Sequence, residues 1–138
     1  MCASIGGGDN EFALAVSELP VSEVMLERGS RLPGYCVVIW KQGHVAEPSE
    51  LDEAGATAYW RDVVKVGRAL QTVFAPLKIN YLTLGNTVLH LHTHVVPRYA
   101  ADPAPGGPIT WTDMFAEAGP SEETLRAQAE QIRSALEA

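Results

Sequence analysis

Between Asp52 and Pro76 runs one long stretch of helical periodicity, and on either side of it lies a pair of short runs rich in β-branched and aromatic residues. In Glu53 to Phe74 the residues Trp60, Val63, Gly67, Leu70 and Phe74 form an i, i+3, i+7 stripe, with Asp52 as N-cap and Pro76 as the stop. Upstream, Val24 to Glu27 and Tyr35 to Trp40 are separated by a turn-rich segment that ends in Pro33-Gly34; downstream, Ile79 to Leu84 and Val88 to Val96 are joined by Gly85-Asn86. Strands that come in hairpin pairs around one helix predict an antiparallel sheet in an α+β domain, not a parallel sheet. Ser121 to about Leu136 reads as a second helix, with Glu122 and Glu123 at its positive end and Leu125, Ala129, Ile132 and Leu136 on one face. Glu11 to Leu19 reads as a short helix or an irregular lead-in to Pro20, and residues 1–10, with three successive glycines, as a flexible tail. That leaves residues 11–138 as a single domain, a size that buries a core without staples.

The charge balance narrows the partners. Ten Lys+Arg against 17 Asp+Glu give a formal net charge of −7, which argues against holding nucleic acid by phosphate neutralisation. A small anionic ligand in one pocket remains compatible with it. Two distant cysteines, Cys2 and Cys36, fit a reducing compartment, so the cytoplasm is expected. The longest apolar run, Tyr35 to Trp40, is far short of the ~20 residues that span a bilayer, and the N-terminus lacks the charged and apolar regions of a signal peptide.

Three of the four histidines, His90, His92 and His94, alternate with non-ionisable residues. In a strand this period of two sends all three rings to one face, about 6.6 Å apart, while Leu91, Thr93 and Val95 face the other and can pack on the long helix. One histidine on a strand is usually a satisfied polar side chain. Three in strict alternation ask for chemistry, since aligned rings repel when charged. A His-x-His pair can ligate a metal, but no Asp or Glu occurs from Ile79 to Ala101 to complete or orient such a site. The other reading is nucleophilic attack on phosphorus by a neutral imidazole, for which an acid-free segment suits an anionic substrate.

The run His90-Leu91-His92-Thr93-His94-Val95-Val96 resembles the signature of the histidine-triad (HIT) family of nucleotidyl hydrolases and transferases, His-φ-His-φ-His-φ-φ with φ apolar, and departs from it only at Thr93. Gly85-Asn86-Thr87-Val88 is similar to the family's Gly-Gln-Ser/Thr-Val run, and Val96-Pro97-Arg98-Tyr99 resembles bacterial members. Pro33-Gly34, the following apolar strand, Lys41 and His44 resemble the family's strand and basic-x-His segment, so the likeness spans Pro20 to Tyr99.

The resemblance implies a HIT-like antiparallel sheet with a long helix packed on it and a C-terminal helix. It implies that His92 attacks an α-phosphate to form a nucleotidyl-histidine, that His94 contacts phosphate oxygens and the leaving group, and that His90 and His44 orient the nucleophile. Asn80, Asn86 and Thr87 then bind substrate, a phosphoanhydride or phosphoramidate of the diadenosine polyphosphate or nucleoside phosphoramidate type. A homodimer with a continuous sheet is implied as well. No cofactor and no metal are expected; the structural zinc of some members needs a Cys-x-x-Cys, and Cys2 has no partner at that spacing. The family's ribose-contacting Asp or Asn has no clean match before Pro33-Gly34, Glu27 being closest by position. A nucleotide sensor with little turnover and a histidine-ligated metal enzyme are the rival functions. Trp40 and Trp60 read as core, Arg98 as a solvated arginine at a strand end, and Trp111 as surface packing near the site or a dimer contact.

Overall fold

A computed structural model describes residues 7–110, 112, 115 and 119–138. Five strands form one antiparallel sheet: β1 (Ala13–Glu18), β2 (Ser22–Glu27), β3 (Cys36–Trp40), β4 (Lys78–Leu82) and β5 (His92–Arg98), in the order β1-β2-β3-β5-β4. Two helices, α1 (Glu53–Phe74) and α2 (Glu122–Glu137), cover one face. The α+β architecture expected from the strand pairs is what the chain adopts. No helix among the described residues is long and apolar enough to cross a membrane.

Alternation sorts the strand residues onto two unequal faces. Val24, Leu26, Cys36, Val38 and Val95 point to the helices and join Val63, Val66 and Leu70 of α1 and Leu125, Ala129 and Ile132 of α2 in the main core. Each such side chain contributes about 1.5–3 kcal/mol on full burial, so this face anchors the sheet. Met25, Val37, Ile39 and Val96 point the other way into a smaller cluster on the face away from α1 and α2. His92 and His94 project onto that second face, because Thr93 and Val95 between them belong to the helix side. That second face carries the clefts in which a ligand can sit beside the two rings.

The caps follow the sequence. Asp52 Oδ1 accepts from the Gly55 amide at 2.7 Å, Ser121 Oγ accepts from the Thr124 amide at 3.1 Å, and α1 closes at Ala75 (φ 46°), one residue before Pro76. Gly34 (φ 83°) turns the chain into β3 against the end of α1, where a Cβ would lie 2.5 Å from the Phe74 ring.

Five expectations are corrected. Glu11 to Leu19 contains an edge strand, since its alanine-rich composition matters less than the alternation that puts Leu14 and Val16 under α2. The run from Val88 to Val96 becomes strand only at His92; Leu91 instead donates its amide to Val45 O and accepts from the Trp40 amide, and residues 83–91 form a loop. The buried stripe of α1 is rotated from the sequence reading: Tyr59 is fully buried and Trp60 is 41% exposed. Arg98 is not solvated; it is 2% exposed and clamps the loop that follows β5. Trp111 lies outside the described residues. Asp9 and Asn10, assigned to the tail, tie into β1 by accepting from the amides of Ala15 and of Phe12 and Ala13.

Candidate active site

The central histidine is oriented by its own backbone. His92 Nδ1 donates to the His90 carbonyl at 2.6 Å, which fixes the proton on Nδ1 and leaves Nε2 with its lone pair. His90, just before β5, is 2% exposed and sends its ring to the neighbouring strand, where Nε2 donates to Trp40 O at 2.6 Å. Its Nδ1 is then an acceptor in the neutral ring, and His44 Nδ1 lies 3.2 Å away to donate to it. His44 and His90 thus hold the turn from which the His92 acceptor projects. Only His92 and His94 share a wall of the pocket; the three rings do not stand in one row, because His90 lies outside the strand.

The His92 and His94 rings meet edge to face, with centroids 5.1 Å apart. His94 Nδ1 is 2.7 Å from the Tyr35 hydroxyl. Burial, with a smaller contribution from His92, pushes the His94 pKa down to about 4, so this ring is neutral at any ordinary pH. Behind the pair, Thr93 Oγ1 bonds to the Tyr59 hydroxyl of α1 and to Thr83 Oγ1, both at 2.7 Å, and Tyr59 also donates to Val38 O. A hydroxyl at this otherwise apolar signature position is thereby satisfied, and it ties the root of the 83–91 loop to β5 and α1.

That loop closes a pocket of about 280 Å³ lined by Gly85, Asn86, Thr87, Val88, His92 and His94. Gly85 (φ 79°) makes the turn that brings Asn86 and Thr87 over the rings. Val88 and His94 also border a second cleft of about 420 Å³, apolar and walled by Phe12, Met25, Val37, Ile39 and Phe115. Among the described residues the carboxyl on that wall is Glu27, at the end of β2, and burial lifts its pKa to about 7. The triad segment is free of acid, yet the cleft beside it is not. Asn80 pairs with Val96 in the sheet, one alternation beyond the Leu82–His94 pair, and its Oδ1 accepts from Arg98 at 2.7 Å, so it stands outside the pocket wall. Among the described residues no group of three or more His, Cys, Asp or Glu has a metal-holding arrangement.

A helix-backed antiparallel sheet that turns two strand-borne imidazoles toward a glycine-turn pocket defines a histidine-triad protein. Residues 11–101 match the HIT domain profile, and the chain belongs to the HIT family. It is 34% identical to the Hit protein of Bacillus subtilis (strain 168) over 71 residues, 48% of either chain, so it spans about half the length of that curated relative. A histidine-triad protein from Sinorhizobium meliloti 1021 has a similar structure, with TM-score 0.78 and 27% identity over 88% of each chain. Another, from Bradyrhizobium japonicum, gives TM-score 0.77 and 25% identity over 91% of this chain and 92% of its own. Membership supports a nucleotide-binding, hydrolase-type function.

Proposed function

We propose that the protein cleaves a nucleotide phosphoanhydride or phosphoramidate, of the diadenosine polyphosphate or nucleoside phosphoramidate type, through a nucleotidyl group carried on His92. The observation that carries the reading is the His92 ring itself: Nδ1–H is engaged by a backbone carbonyl and Nε2 is free beside the pocket. In the first step the Nε2 lone pair forms a bond to the α-phosphorus and the leaving group departs with the electrons of the broken bond, as a phosphate from an anhydride or, taking a proton from solvent water, as an amine from a phosphoramidate. Because Nδ1 keeps its proton, the intermediate is an N-phosphoryl imidazolium, itself a good leaving group. Water then attacks phosphorus, the N–P bond returns its pair to Nε2, and the nucleoside monophosphate sheds the surplus proton to solvent. His94 contacts the phosphate oxygens, and Asn86 and Thr87 bind the phosphates from the loop. Quenching a reaction in alkali and mapping the nucleotidylated peptide tests the assignment: label on His92 supports it, and return of diadenosine tetraphosphate and adenosine phosphoramidate intact favours a nucleotide sensor.

The apolar cleft takes the nucleoside, with the base against Phe12, Phe115 and Ile39 and the sugar hydroxyls donating to Glu27. The ionised carboxyl is the stronger acceptor for both hydroxyls, so affinity for AMP rises as pH climbs through about 7. Glu27→Gln removes that rise and weakens AMP binding about tenfold while sparing inorganic phosphate; unchanged AMP affinity removes Glu27 from the site. The same variant is more stable at pH 8, by about 1–3 kcal/mol. From 4.5 to about 7 the unfolded chain gives up the Glu27 proton and the folded one does not, so wild-type stability falls across that window.

A second copy pairs along the outer edge of β4, where exposed Tyr81 lies over Gly67 of α1 and exposed Val64 is one turn away. Light scattering at twice 14.9 kDa is the expected result, and a monomer at micromolar concentration overturns it. A cytoplasmic setting suits Cys36, buried and free.

A further inference from the structure

We infer that Tyr35 is a positioning residue that locks His94 in the tautomer opposite to that of His92, so that the pocket presents one imidazole nitrogen as a lone pair and the next as a hydrogen-bond donor. Tyr35 lies just before β3 and is 1% exposed, on the face of the sheet away from the two helices, with Val37 and Ile39. Register pairs Val37 with His94, which brings the phenol against the His94 ring edge to face, with centroids 5.8 Å apart. Among the described residues the partner of the Tyr35 hydroxyl is His94 Nδ1, at 2.7 Å. Burial holds the phenol far from ionisation, so it keeps its proton and has that one nitrogen to give it to. Nδ1 of neutral His94 is then the acceptor, and its proton sits on Nε2.

The adjacent ring is set the other way. His92 Nδ1 donates to the His90 carbonyl, which leaves Nε2 bare. Two chemically identical side chains on one strand are thus held in different tautomers by what faces their Nδ1 atoms: a carbonyl oxygen for His92 and a hydroxyl hydrogen for His94. A lone pair suits attack on phosphorus, and a neutral N–H beside it suits the non-bridging oxygens on which charge gathers. Were His94 to take the His92 tautomer, a second lone pair would face the phosphate and repel it. No proton transfer is assigned to Tyr35; its hydroxyl proton stays on oxygen throughout, and His94 acts as donor without losing Nε2–H. The purpose given to this arrangement rests on the phosphoryl-transfer reading above, but the tautomers themselves do not.

Long-range proton–nitrogen NMR of the ligand-free protein at pH 7 reads both rings directly. The expected spectra show His92 protonated at Nδ1 and His94 at Nε2. In Tyr35→Phe, which keeps the ring and its packing, His94 loses its preference and His92 keeps its own, and turnover falls at least about tenfold. AMP binding weakens in step. His94 protonated at Nδ1 in the wild type, or an unchanged His94 tautomer in Tyr35→Phe, overturns the inference. A wild type with the expected tautomers that hydrolyses no nucleotide supports this inference and defeats the hydrolase reading, so the two fail separately. Should Tyr35→Phe unfold, Tyr35→His supplies the second variant: an imidazole that donates to His94 Nδ1 restores the Nε2–H form, and failure to restore it counts against the lock.

Discussion

His92→Asn lowers turnover by roughly 10⁴-fold or more, to a level at which no nucleotidylated protein is trapped, while AMP still binds within a few-fold of wild type. The size of the loss follows from the role: an amide offers no lone pair able to form the bond to phosphorus, and no other ring shares the geometry. His94 is adjacent but differently held, its Nδ1 at Tyr35. His90 has Nε2 engaged with Trp40 O and faces away from the pocket. Asparagine is preferred to alanine because its amide can still donate to the His90 carbonyl and keep the turn in place. His92 is buried at 6% exposure but lines the pocket wall, and asparagine keeps its hydrogen bond to the His90 carbonyl, so stability changes by only about 1 kcal/mol. Steady-state kinetics with diadenosine tetraphosphate and calorimetry with AMP measure the two halves. Retained turnover, or label trapped on another residue, sinks the mechanism.

The signals that could be read in the sequence were those with a strong local cause. Asp52, Ser121 and Pro76 punctuate helices by their own chemistry, and the period of α1 reports a buried stripe. Even there the i, i+3, i+7 series began at Trp60 and passed over Tyr59, because spacing does not register that the Tyr59 hydroxyl has partners waiting in Thr93 and Val38. Alternation did place His92 and His94 together, yet it overran into residues 83–91, where the backbone is claimed by Val45 and Trp40 from another part of the chain. Non-local pairing of that kind leaves no local trace. The same limit explains the site residues that were missed. Glu27 enters the cleft because β2 lies two strands from β5 in the sheet, and Tyr35 meets His94 through the β3–β5 register. A segment free of carboxylates described its own composition, not that of the cavity it would line. Position near Pro33-Gly34 was the one sequence signal that pointed to Glu27, and Tyr35 had none.

Asp102→Ala costs about 3 kcal/mol of stability and lowers Tm by about 10 °C, the largest structural effect expected outside the core. Arg98, the last residue of β5, and Asp102, four residues on, are 2% and 6% exposed and form a two-pronged pair: Nε donates to Oδ2 at 2.5 Å and an Nη to Oδ1 at 3.0 Å. The remaining guanidinium hydrogens go to Asn80 Oδ1, Gly107 O and Ala104 O, so a single cation gathers the loop after β5 and stitches it to β4. Deleting the carboxylate leaves that cation buried without its counter-charge. Neighbouring carbonyls soften the loss and the loop over it is itself exposed, which sets the figure at the lower end of the range for broken buried pairs. Against a total of about 5–15 kcal/mol this is a large share. The pair also fixes the acid limit: hydrogen bonding from Arg98, aided by the Ala104 and Tyr99 amides, holds the Asp102 carboxyl below its usual 3.8, so its contribution is complete above pH 4 and is lost only as pH drops through the lowered value. Replacing both partners, as Arg98→Met with Asp102→Leu, removes the charges together and recovers part of the loss. Thermal melts at pH 7 decide it: a Tm for Asp102→Ala within 2–3 °C of wild type, which is under about 1 kcal/mol, would show that the clamp orders the loop without holding the fold.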